Sequence, residues 1–276
     1  SLSASGGSGL FNNLQAFTIA GLSISGGGLT FNNIGGVTAT TLDLTGGTLG
    51  GTSAVTIAGA STWTGGTMTG SGSTVFNGTV ALSGNGVKDV TNGRSVVFND
   101  TTTWTNLNDN QGRIRTGSGV TFTNNGTWLD QNAFNNQISP DFGGTSTFVN
   151  AGTYTKSGVG TTTISVGYNN SGTTNVNAGT LNLGGGGTSS GGFSGLAGTT
   201  IGFGGGYTLQ AGSSINTAGS VAFSSGTNTV AGSYSAGTTA SFTGGTTTFT
   251  GTVTSVGYSQ SATGWAGVFN NLQAFT

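Results

Sequence analysis

Cysteine, histidine and glutamate occur nowhere in this chain, and proline occurs once, at Pro140. Each absence removes a class of chemistry. Without cysteine there is neither a disulfide framework nor a thiol nucleophile. Without histidine the Ser–His and Cys–His catalytic systems and the His/Cys metal sites are closed. Charge is almost as scarce: five Lys/Arg and six Asp among 276 residues leave a net charge of −1. Five cations cannot neutralise a phosphate backbone, which weighs against nucleic acid as a partner. No uninterrupted apolar run approaches the roughly 18 residues of a membrane helix, so no membrane insertion is expected. Ser1–Leu10 has neither a basic start nor an apolar stretch. No signal peptide is visible there, and the chain is expected to be a mature piece or a window of something longer.

What remains is glycine, 57 residues of it, with 16 Phe, 5 Tyr, 4 Trp and abundant Thr and Val. Collagen needs glycine at every third place and much proline. A disordered chain carries few aromatics and many charges. Neither description fits, and the aromatic and β-branched residues favour strands. Alternation with period two is visible in TTTFTGTVT (246–254), where Phe249 and Val253 share one face. It recurs in TTTISV (161–166), VTFT (120–123) and TLNL (180–183), whereas no helical 3.6-residue stripe is found.

An aromatic followed by Asn or Gly recurs as Phe11, Phe31, Phe76, Phe98, Phe122, Phe148, Tyr168, Phe203, Phe223, Phe242, Phe249 and Phe269. Many gaps are 20 residues; through the middle they stretch to 22, 24 and 26. Val55 is taken as the member between Phe31 and Phe76, and the phase is lost between Tyr168 and Phe203. Strand alternation with a period near 20 predicts a β-solenoid, one coil per period, with Gly and Asn at the corners. The chain is expected to form one continuous solenoid over 1–276, of about 12–13 coils of roughly 20–22 residues, without caps.

GTYTKSGVGTTTI (152–164), GTTNVNAGTLNLGGG (172–186) and FTGGTTTFTGT (242–252) resemble the strand repeats of bacterial autotransporter passengers and filamentous-haemagglutinin-like adhesins. That resemblance implies a right-handed parallel β-helix, secreted and displayed at the cell surface.

A longer repeat overlies the short one. Ser1–Thr18 and Ser259–Thr276 match at 13 of 18 positions at an offset of 258, and both contain FNNLQAFT. The two segments are expected to be equivalent coils of a 258-residue unit. Phe11, Asn12, Asn13 and Leu14 would then correspond to Phe269, Asn270, Asn271 and Leu272 as the place where one unit continues into the next. The expected partner is therefore the protein itself, head to tail, with lateral homotypic contacts or glycans as further candidates.

Ten of the 11 charges lie between Lys88 and Lys156. Asp89, Asp109 and Asp130 are spaced 20 and 21 apart, about one coil each. Stacked on one face they would offer oxygen ligands to Ca²⁺, the only cofactor the sequence admits, and paired carboxylates would also serve glycoside hydrolysis. The plainer expectation is a solvated, looped-out side on which Arg94, Arg113 and Arg115 neutralise the carboxylates. No catalytic residue is assigned. Trp63, Trp104, Trp128 and Trp265 are expected to be coil aromatics, buried rather than exposed to sugars. The Thr row 246–254 invites comparison with flat ice-binding β-helices, but it runs along a strand instead of recurring from coil to coil. A structural filament or giant surface adhesin is thus the leading expectation. A glycan- or ice-binding β-helix is the alternative, and a β-helical polysaccharide-degrading enzyme comes last.

Overall fold

The computed structural model describes residues 1–12, 15–254, 258–260 and 266–269. Among them there is no helix, and every strand pairing is parallel. Each turn of chain lays down three strands, and each strand pairs with its counterparts one turn before and one turn after. Three ladders result. The first has 13 strands, from Ser8–Phe11 to Tyr258–Gln260, so twelve turns separate its ends. The third begins at Leu2–Ala4 and the second at Phe17, and the long strands Phe17–Ile24 and Val37–Leu44 each serve both ladders. From the next turn on the two are separate strands, starting with Ala54–Ile57 on the second ladder and Ser61–Trp63 on the third. The fold is a parallel β-solenoid of about 13 turns.

Register confirms the 20-residue coil and redistributes its aromatics. Phe11↔Phe31, Phe148↔Tyr168, Phe203↔Phe223 and Phe249↔Phe269 are all in-register neighbours. They do not form one column. Phe11, Phe31, Phe203, Phe223 and Phe242 stand on the first ladder, whereas Phe76, Phe98, Phe122, Phe148, Tyr168, Phe249 and Phe269 stand on the second. Val55 is therefore no stand-in between Phe31 and Phe76: it pairs with Val37 and Thr74, and Ile57 is the residue beside Phe76. The phase slips after Tyr168 because the aromatic series changes ladder there.

Inward side chains stack on their like. Phe122, Phe148 and Tyr168 are offset-stacked, with centroids 6.3 and 5.5 Å apart. Phe203, Phe223 and Phe242 stack at 5.5 and 5.4 Å. Trp63, Trp104 and Trp128 are wholly buried, and Trp128 meets Phe98 and Phe148 edge-on. Trp265 lies outside the described residues. The buried apolar side chains form one continuous cluster from Ala4 to Val253.

One glycine shows how closely the turns approach. Gly187, at φ +143°, lies against the backbone of Tyr168, where an added Cβ would sit 2.2 Å from the carbonyl oxygen. Tyr207, its in-register neighbour, donates its hydroxyl to that same Tyr168 carbonyl two turns away. Gly187→Ala is expected to destabilise the fold by about 1–3 kcal/mol through backbone strain alone, read as a lowered denaturant midpoint.

Candidate assembly surfaces

Among the described residues, Leu2–Ala4 and Ser8–Phe11 pair on one side only, with the turn that follows. Phe11 stacks on Phe31 at 5.0 Å, and Leu10 is largely exposed. Leu2, Ala4, Phe11 and Leu29 line a recess of about 320 Å³ at the mouth of the core. Beside it an amide ladder begins: Asn32 donates through Nδ2 to Asn12 Oδ1 at 3.0 Å, and Thr52 N–H donates to Asn32 Oδ1 at 3.1 Å. At the opposite end, Thr246–Phe249 carries Ala266–Phe269 in register. Asn13, Leu14, Asn270, Asn271 and Leu272 lie outside the described residues.

The charged turns hold the largest departure from expectation. Asp89, Asp109 and Asp130 do not stack. Asp89 is on the first ladder, Asp130 on the third, and Asp109 sits in the connection between Thr101–Trp104 and Ile114–Thr116, accepting the Asn135 N–H at 2.8 Å. Spacing of one coil was not enough, because the lengthened turns put the three residues at different angular positions. Among the described residues no three carboxylates form a group able to hold a metal ion.

Nor is this stretch simply a solvated side. Lys88, Arg94, Asp130 and Lys156 are all completely buried. Lys88 takes the inward place on the first ladder that Ile114, Ile138 and Ile164 fill on later turns. Its ammonium donates to the carbonyls of Ser83, Gly86 and Gly112 at 3.0, 3.1 and 3.5 Å. Arg94 neutralises no carboxylate. It donates to Thr74 Oγ1 and to the carbonyls of Gly51, Thr69 and Ser73 across neighbouring turns. Asp130 and Lys156 are in-register neighbours on the third ladder, their charged atoms 3.9 Å apart. Asp130 also accepts from Tyr154 Oη at 2.8 Å and Asn132 Nδ2 at 2.7 Å. Outside, Arg115 grips Asp89 with two bonds of 2.7 and 2.8 Å and lies over the Phe142 ring, while Arg113 pairs with Asp141. Asp89↔Arg115 and Asp130↔Lys156 are both opposite charges on adjacent turns, the arrangement that close strand spacing favours.

A buried amide ladder accompanies the aromatic stack. Asn124 donates to Asn150 Oδ1, and Asn150 to Asn170 Oδ1, each at 2.8 Å. The second amide hydrogen satisfies a corner carbonyl, Thr153 O or Thr173 O, at 3.0 Å. An exposed counterpart links Asn125 to Asn99 and Asn99 to Asn77 at 2.8 Å. The signal was present in FTNN, FVNA and YNNS, where the inner Asn keeps the same distance from the stacked aromatic.

Hydroxyls also recur from turn to turn, contrary to the expectation from 246–254. Thr188, Thr208, Thr229 and Thr248 form one outward column on the second ladder. On the third, Thr101, Thr127, Thr153 and Thr173 form a second column. Thr41, Ala60, Thr79, Ala81 and Thr103 line a shallow trough of about 620 Å³ on the same face.

Comparison with known proteins found no matching family model, no similar curated protein and no similar solved structure.

Two stability measurements follow. Burial lowers the Lys88 ammonium pKa to about 8, while an unfolded lysine keeps its proton to about 10.4. Between those values the unfolded state binds more protons, so stability rises with pH. Burial raises the phenol pKa of Tyr154, Tyr168, Tyr207 and Tyr234. Above about pH 10 the unfolded chain ionises first, and the tyrosines make stability fall. Denaturant midpoints against pH are thus expected to climb from about 8 and then turn down, and Lys88→Met is expected to shrink the climb, leaving the part due to Lys156 and Arg94, whose pKa values burial also lowers. Asn150→Leu, which strips Asn124 and Asn170 of their buried amide partner, is expected to cost about 1–3 kcal/mol by the same measurement.

Proposed function

We propose that this chain is a structural unit of an extracellular filament or giant surface adhesin that extends end to end by continuing its β-solenoid. The observation that carries this reading is the second copy of the first-turn sequence, whose strand Ala266–Phe269 is laid in register on the last complete turn. A contact of this kind does not close on itself, so it propagates. The strand-repeat texture shared with autotransporter passengers and filamentous-haemagglutinin-like adhesins supports secretion and surface display. Chemistry at the charged turns is not needed for this role: the buried cations and Asp130 are consumed in holding the turns together.

The recurrent threonine columns favour a second reading, in which the second or third face binds an extended glycan or ice. Inhibition of ice recrystallisation, or retention on a polysaccharide column, would establish it.

The filament reading is tested by electron microscopy and diffraction. Filaments are expected with a meridional reflection near 4.8 Å and an axial unit of about 58 Å, from about twelve turns at strand spacing. A denaturing mass of 26.8 kDa for the filament's polypeptide would mean stacked subunits, and a large multiple would mean a covalent array. A monodisperse monomer under all conditions defeats the proposal.

A further inference from the structure

The two copies of the repeated segment do not occupy the same ladder. Ser8–Phe11 lies on the first ladder, paired with Gly28–Phe31. The segment 258 residues later, Ala266–Phe269, lies on the second, paired with Thr246–Phe249. The neighbouring strands are displaced in the same sense. Leu2 stands on the third ladder beside Leu22, whereas Gln260, its equivalent, stands on the first beside Phe242. Ser8–Phe11 and Tyr258–Gln260 are the first and last strands of the 13-stranded ladder. From Ser8–Phe11 to Ala266–Phe269 is therefore twelve full turns and one further strand.

We infer that consecutive copies of the 258-residue unit join with their ladders advanced by one, so that each copy is rotated about the axis by a third of a turn. This rests on the end-to-end reading above, and its partner is a second copy of this same sequence. The first ladder of one unit runs on from the second ladder of the unit before it. The second runs on from the third, and the third from the first. The threonine column of Thr101, Thr127, Thr153 and Thr173 thus reappears above the face that carries Asp89 and Arg115. A given face returns to the same side only after three units, about 178 Å along the axis at strand spacing. No side of such a filament is uniformly charged or uniformly hydroxylated. Every side presents each chemistry in rotation.

The offset can be read in the full 276-residue chain, which contains no native cysteine to interfere. Thr248 and Val268 are in-register partners, and Val268 is exposed. Parallel neighbours at strand spacing fall within disulfide reach. The double variant Thr248→Cys, Val268→Cys is expected to oxidise under conditions that leave Ser241→Cys, Val268→Cys reduced, Ser241 being on the first ladder. Closure of the Ser241 pair, or of neither pair, overturns the offset. Filament images supply the independent arm. A third-of-a-turn step every 59 Å or so supports the inference, and units superposing by translation alone refute it. Filaments that form while the Ser241 pair closes defeat the offset and leave the end-to-end reading standing. The Thr248–Val268 disulfide in a protein that makes no filament defeats the end-to-end reading itself.

Discussion

Everything in this molecule follows from parallel strands that bond along the long axis. Once each residue is fixed within about 4.8 Å of its counterpart on the next turn, side chains must tolerate their own kind as nearest neighbours. Aromatic rings do so by offset stacking, as in Phe122, Phe148 and Tyr168. Amides do so by donating to one another, as in Asn124, Asn150 and Asn170. Threonines do so because hydroxyls carry no charge. Carboxylates and ammonium groups do not, and the scarcity of charge over most of the chain is the compositional trace of that constraint.

Where charge does enter, it alternates in sign between adjacent turns or goes inside. Lys88 and Arg94 are buried without a carboxylate in contact, held by backbone carbonyls and a threonine. The Lys88 acceptors lie in the connections that precede Lys88–Val90 and Ile114–Thr116, and the Arg94 acceptors lie on the turns before it. Each cation therefore satisfies several corner acceptors at once, at the cost of its own dehydration.

The fold was legible from period and alternation because both are imposed locally by the strand. Coil length, the buried tryptophans and the pairing of Phe148 with Tyr168 follow from counting residues. Angular position was not legible by counting. Insertions at corners change the number of residues per turn without changing the ladders, so equal spacing placed Asp89, Asp109 and Asp130 in a column they do not form. The same degeneracy hid the transfer of the aromatic series from one ladder to another. Lys88 gave no warning either, since nothing in KDV distinguishes an inward lysine from an outward one. The amide ladder was readable, because Asn124, Asn150 and Asn170 keep step with their aromatics.

The direction of the ladder bonds also fixes how the molecule responds to force. They lie along the axis, so a pull on the two ends loads them in tension rather than in shear, and a terminal turn, bonded on one side, can peel a few bonds at a time. Each turn that peels away gives up about 4.8 Å of rod and releases some 20 residues, about 66–72 Å of extended chain. The solenoid is in that sense a coiled tether, able to lengthen more than tenfold by surrendering turns in sequence.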